Sequence, residues 1–233
     1  MSYSDLPKPI LMFDMDGTLL DLAFDDFIWN YCLPERYAQV HQCSFEQSQQ
    51  MLSQFYSKYK HTLDWYSSTQ WTAKVDIDIL KLQYEHRDKI CVRTGCFELL
   101  QQLKTQGYRC WLLTNADLAG LQLKLEKINL RPYFELMISS EEIGHAKEEV
   151  AFWQKLQQRH PFDPTHSVFI DDTETVLDSA AAFGISQLFC ISQPASNRPA
   201  RAKADLGYPA LDHLTQLYSY LQTQPQDKNV KTA

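Results

Sequence analysis

The chain has 233 residues, of which 44% are hydrophobic, 12% aromatic and 22% charged; that is enough apolar surface for a packed core and rules out a fully disordered polymer. At the roughly 150 residues of an ordinary domain, this length holds one full domain and a smaller insertion rather than two large domains. The net charge of −7 gives no electrostatic reason to bind a nucleic acid polymer or an anionic membrane, so an anionic substrate would need local positive charge.

Residues 1–8 carry no basic stretch leading into an apolar run, and no window approaches the ~20 apolar residues of a membrane span. Cys32, Cys43, Cys91, Cys96, Cys110 and Cys190 are scattered without a CxxC pair or a Cys/His zinc pattern. Reduced thiols in a cytoplasm are the expectation.

Five short, near-continuous apolar runs, at 10–13, 110–113, 136–138, 168–170 and 188–191, suit strands buried on both faces. Residues 21–91, between the first two runs, are too many for a structureless connection and predict a unit of their own. Its pattern is helical throughout. Phe24, Phe27, Ile28 and Tyr31 recur at i, i+3, i+4 and i+7 and predict a helix that ends at Pro34. Leu52, Phe55, Tyr56 and Tyr59 repeat the spacing after a capping-box signature, Ser44 with Gln47. Val75, Ile79, Leu82 and His86 predict one further helix.

Beyond residue 92, strands and helices alternate. Leu118, Leu121, Leu125 and Ile128 form one helical stripe, and Val150, Trp153 and Leu156 another, while Gly107, Asn129 and Gly184 stand where helices should stop. The expected fold class is therefore α/β, a doubly wound, mostly parallel Rossmann-like sheet with a helical cap inserted after the first strand. The division is 1–20 with 92–222 for the core, 21–91 for the insertion, and 223–233 for a flexible polar tail containing Pro225.

In such a sheet, ligands bind beyond the carboxyl ends of the strands. The first strand runs into Asp14-Met15-Asp16-Gly17-Thr18, the second into Thr114-Asn115, and the fourth into Asp171-Asp172, with Lys147 a loop beyond the third. These residue types fit phosphoryl transfer. Asp14 suits a nucleophile that forms an acyl phosphate, and Asp16 an acid that protonates the leaving alcohol and later deprotonates water. Crowded carboxylates call for a hard cation, so Mg²⁺ is expected on Asp14, Asp172, a backbone carbonyl near Asp16 and waters. The Thr114 hydroxyl, backbone N–H groups at Thr114 and Asn115, and the Lys147 charge suit phosphate oxygens. Gly17 permits a tight turn beside them. Each residue also has an ordinary role: an Asp-rich turn, a carboxylate pair at a helix start, a capping threonine, a solvated lysine.

On these residues the chain resembles the haloacid dehalogenase superfamily of phosphohydrolases, whose first motif DxDGT is matched by residues 14–18 and whose other motifs match Thr114, Lys147 and Asp171-Asp172 in order. The resemblance implies that Asp172 rather than Asp171 contacts the metal directly, with Asp171 behind it. Glu148-Glu149 depart from the Pro common after the lysine. The helical insertion looks like the superfamily's cap, which closes over the site and selects substrate. More narrowly, residues 14–25, 61–66 and 112–116 are similar to bacterial GMP/IMP nucleotidases, which implies hydrolysis of purine nucleoside 5′-monophosphates, small phosphomonoesters, to nucleoside and phosphate.

A sugar-phosphate phosphatase or phosphomutase with the same core is the rival enzyme, and a phosphate-binding regulatory module the rival without turnover. A dehalogenase fits poorly, because halide departure needs no acid at Asp16. Phe24, Trp29, Trp65, Tyr66 and Trp71 have the spacing of core residues, although any of them could stack on a purine. His61 reads as a surface or core residue. Oligomeric state leaves no mark in the sequence.

Overall fold

A computed structural model describes residues 8–223. Six parallel strands form one sheet: β1 (Ile10–Phe13), β2 (Cys110–Thr114), β3 (Leu136–Ser139), β4 (Ser167–Asp171), β5 (Gln187–Ile191) and β6 (Ala210–Leu211), in the order β3-β2-β1-β4-β5-β6. The chain winds outward from β1 to β2 and β3, then crosses back to β4 on the other side. The switch point thus lies at β1, where Asp14 follows the last strand residue. β6 is a sixth strand beyond the five predicted, and its two residues are too short to show a period.

The apolar runs are continuous because both faces of every central strand meet helices. Leu11, Phe13, Leu112 and Ile170 point into one core; Ile10, Met12, Leu113 and Phe169 point into the other. The helices of this core region are α7 (Cys96–Thr105), α8 (Leu118–Lys127), α9 (Ser140–Ile143), α10 (Val150–Arg159), α11 (Glu174–Phe183) and α12 (Thr215–Thr223). Leu99, Leu103, Leu121 and Leu217 of α7, α8 and α12 cover the first face. Phe152, Trp153, Val176 and Leu177 of α10 and α11 cover the second.

Gly184 ends α11 in the left-handed region at φ +116°, as expected. Asn129 does no such service: α8 closes on Ile128 in an extended conformation. Leu118, predicted on the apolar stripe of α8, is 47% exposed because it sits in the first turn, where Asp117 caps the helix. Of the predicted tail, only Thr223 is among the described residues, and it closes α12.

Between β1 and β2 the structure is helical: α1 (Ala23–Phe27), a π-turn (Ile28–Cys32), α2 (Leu33–His41), α3 (Phe45–Tyr59), α4 (Leu63–Tyr66), α5 (Ser68–Val75) and α6 (Ile79–Glu85). Two expectations are corrected. Pro34 does not end the first helix. The π-turn passes the bonding to i→i−5, as in Leu33 N–H to Ile28 O, which makes room for a residue with no N–H to give, and the helix runs on to His41. The single helix predicted through Val75 and His86 is two: Asp76 adopts φ +55° and closes α5, and Asp78 opens α6 by accepting from Lys81 N at 2.9 Å. The Ser44/Gln47 capping box is formed as expected.

The insertion leaves and rejoins the core at adjacent points. Leu20 bridges Val92, and Asp21 N donates to Cys91 O at 2.9 Å. All six cysteines are free thiols. No helix among the described residues is long and apolar enough to cross a membrane.

Candidate active site

A cavity of about 830 Å³ opens where the carboxyl ends of β1, β2 and β4 face the helical insertion. Asp14, Asp16, Thr114, Asn115, Lys147, Asp171 and Asp172, which are remote in sequence, all line it. The topology accounts for this meeting. β1 is flanked by β2 and β4, so the segments that follow these three strands emerge side by side. Gly144, at φ +79°, ends α9 and turns the chain back toward them, which brings in Lys147.

Lys147 is 1% exposed, and its Nζ stands 2.6 Å from Asp14 Oδ1 and 2.7 Å from Asp171 Oδ2. Burial disfavours the lysine's charge, but the two carboxylates more than offset this and raise its pKa. Asp171 has no oxygen left over: Oδ1 accepts from Thr173 N at 2.8 Å. Asp14 differs. Its Oδ2 is buried and has no partner among the described residues.

Carboxylate oxygens of Asp14, Asp171 and Asp172 lie within 4.8 Å of one another. Desolvation, then mutual repulsion, drives Asp14 well above the usual carboxylate range despite Lys147 and lifts Asp172 to about 7. Three carboxylates facing one ammonium, with one oxygen unsatisfied, make a donor set that suits a hard divalent cation. Gly17 is forced by the same crowding: it has φ +86°, and a Cβ there would stand 2.7 Å from Asp172 Cγ. Arg201 Nη2 holds the Asp172 carbonyl at 2.7 Å.

Asp16 lies two residues beyond Asp14 on the cavity wall, and its Oδ1 is 2.7 Å from Lys124 Nζ. The same ammonium contacts Asp25 Oδ1 and Oδ2 at 2.9 and 3.1 Å. Neither Lys124 nor Asp25 was a candidate from the sequence. The available signal was a lysine inside the stripe of α8, between Leu121 and Leu125, and it is 3% exposed. Thr114 is buried, with its Oγ1 accepting from Ala116 N at 3.1 Å. Asn115, a candidate through its backbone, also engages its side chain: Oδ1 accepts from Lys147 N and Nδ2 donates to Glu148 Oε2, both at 2.9 Å.

The insertion supplies the opposite wall. Phe24 and Trp71 are core residues at 2% and 1% exposure, as their spacing predicts, whereas half-buried Trp29, Tyr56, Trp65 and Tyr66 line the cavity. His61 is exposed, as its surface reading expects, but stands at the mouth of the cavity, with Nδ1 3.4 Å from Glu148 Oε1.

The family model of haloacid dehalogenase-like hydrolases matches residues 11–190. The chain belongs to this family. It is a hydrolase whose matched span runs from β1 to β5. Among characterised relatives it is 33% identical over 186 residues to the GMP/IMP nucleotidase YrfG of Escherichia coli K12, an alignment covering 80% of this chain and 84% of that protein. The fold is shared with a family phosphatase from Thermococcus onnurineus (TM-score 0.75, 20% identity, covering 92% of this chain and 98% of that one). It is also shared with the hydrolase YfnB from Bacillus subtilis, whose structure was determined with magnesium (TM-score 0.64, 18% identity, covering 93% and 99%).

Proposed function

We propose that this hydrolase is a Mg²⁺-dependent phosphatase that forms an aspartyl phosphate on Asp14 and acts on purine nucleoside 5′-monophosphates. The observation that carries the reading is the asymmetry of Asp14, with one oxygen held by Lys147 and the other buried and without a partner among the described residues. A carboxylate fixed in this way presents one lone-paired oxygen in a set direction, as an in-line attack on phosphorus requires.

Asp14 Oδ2 bonds to phosphorus as the bond from phosphorus to the ester oxygen breaks, and the departing alkoxide takes its proton from Asp16. Water then attacks the same phosphorus, gives a proton back to Asp16, and releases phosphate and the Asp14 carboxylate. The products are one alcohol and one phosphate for one ester and one water. Lys147 balances charge on Asp14 and on the phosphoryl oxygens, and Thr114 and the N–H groups that follow it bind those oxygens. Asp14, Asp172 and the Asp16 carbonyl would hold Mg²⁺, which supplies positive charge to the phosphoryl group. Asp171, with both oxygens engaged, orients Lys147.

Three observations support a nucleotide as substrate. The helical insertion acts as a cap, and its wall of Trp29, Tyr56 and Trp65 offers flat apolar surface for a base. The cavity volume lies in the upper part of the ~300–1,000 Å³ range of small-molecule sites. The relative from Escherichia coli is named for the same substrates. The test is phosphate release from a panel of nucleoside monophosphates and sugar phosphates, with and without Mg²⁺. Preference for GMP and IMP supports the reading. Equal efficiency on sugar phosphates removes the nucleotide assignment, and absence of turnover on every ester removes the phosphatase.

A further inference from the structure

Residues 61–66 and Glu148 stand out in the sequence, and the reaction scheme uses neither. In the structure they meet. Tyr66 and His61 line the cavity from the insertion, yet both turn their polar groups to one carboxylate: the Tyr66 hydroxyl donates to Glu148 Oε1, and His61 Nδ1 lies 3.4 Å from the same oxygen. Glu148 Oε2 accepts from Asn115 Nδ2 at 2.9 Å. The Glu148 side chain is only 7% exposed. A carboxylate at that depth is stable only where donors replace water, and here they come from both sides of the cleft.

The contacts continue inward. Asn115 Oδ1 accepts from the Lys147 backbone N at 2.9 Å, and Lys147 Nζ reaches Asp14. One polar chain therefore runs from the insertion, through Glu148 and Asn115, to the lysine beside the nucleophile. Other ties across the cleft, such as Ser68 N to Asp117 Oδ2 at 2.6 Å and Lys124 to Asp25, do not reach Lys147.

We propose that Glu148 is a positioning residue that couples seating of residues 61–66 on the core to the placement of Lys147 beside Asp14. The coupling serves the phosphatase reaction proposed above and rests on that reading.

The test compares Glu148→Ala, Glu148→Gln, Tyr66→Phe and the double variant Glu148→Ala/Tyr66→Phe in the full chain. Turnover is followed with the preferred nucleotide, and hydrogen–deuterium exchange of residues 61–66 is followed without substrate. Glu148→Ala is expected to lower kcat by tenfold or more with a smaller change in KM, and Tyr66→Phe to lower it several-fold. The double variant should be no slower than Glu148→Ala, because both changes cut one chain. Exchange at 61–66 should accelerate in all of them. Glu148→Gln keeps an acceptor for Tyr66 and should fall between wild type and Glu148→Ala. Losses that multiply in the double variant, or exchange at 61–66 unchanged by Glu148→Ala, would overturn the proposal. If Glu148→Ala does not fold, Tyr66→Phe, which loses one hydroxyl, carries the test through kcat and exchange. A wild-type enzyme inert toward all phosphomonoesters would defeat the phosphatase reading, while the exchange measurement would still report on the contact.

Discussion

Lys147 Nζ sits 2.6 Å from Asp14 Oδ1 and holds Asp171 at 2.7 Å on its other side, so one buried cation serves two buried carboxylates. The two partners predict opposite kinds of damage. Asp14→Asn leaves Lys147 paired with Asp171, so the fold should persist while turnover falls by about 10⁴-fold or more, as for other enzymes that lose a nucleophile. Lys147→Met strands two carboxylates and should destabilise the protein by about 3–5 kcal/mol. Steady-state kinetics and urea unfolding of both variants check this; an Asp14→Asn enzyme at wild-type speed would remove the assigned nucleophile.

Asp16 is assigned the proton that leaves with the alcohol. Asp16→Asn should slow hydrolysis of a nucleotide by about 10²–10⁴-fold. In single-turnover measurements it should slow release of the alcohol far less for p-nitrophenyl phosphate, since nitrophenolate leaves without a proton, while the later water attack, common to both substrates, slows alike. Equal losses in that first step would show that Asp16 does not protonate the leaving group.

The pair formed by Lys124 and Asp25 sets a pH dependence of stability. Burial raises the Asp25 carboxyl from 3.8 to about 6, against the pull of Lys124. A carboxyl raised on folding favours the folded state while protonated, so its contribution is fully present below 3.8 and is lost as the pH climbs through about 6. Asp25→Asn cannot ionise and lacks this loss. The stability of wild type minus that of the variant should therefore fall between about pH 4 and pH 7 in urea unfolding series. A difference that rises across that interval contradicts the sign.

Removal of divalent cations by chelation should abolish turnover, and added Mg²⁺ should restore it. A readout independent of activity is the melting temperature, which a cation bound only by the folded protein must raise. Asp172→Asn should lose most of the Mg²⁺-dependent rise. A variant that keeps the full rise would take Asp172 out of the ligand set.

Gly17→Ala places a methyl 2.7 Å from Asp172 Cγ on a backbone at φ +86°. The change should cost about 1–3 kcal/mol of stability, the range for strained backbone, and weaken Mg²⁺ binding by displacing Asp172. Titration of the melting temperature with Mg²⁺ measures both effects together.

The sheet was legible because its strands are buried on both faces and read as unbroken apolar runs, and the rim was legible because polar residues interrupt those runs at the same end. The features that escaped depend on distant partners. Nothing near Pro34 announces a π-turn, because a proline read locally ends a helix. Asp76 breaks the predicted helix by adopting a left-handed conformation that its residue type permits but does not demand. Lys124 looks like any helical lysine until the insertion folds over it with Asp25. Asn115 was a candidate for its backbone, and only the approach of residues 147–148 reveals what its side chain does.

The bridge between Leu20 and Val92 gives the helical insertion a single doorway, with the way out and the way back side by side. A module attached through one doorway can be lengthened, shortened or exchanged without shifting the register of a single strand. Under the proposed function, the surface that the substrate meets on the insertion can thus change while the carboxylates at the sheet rim keep their places.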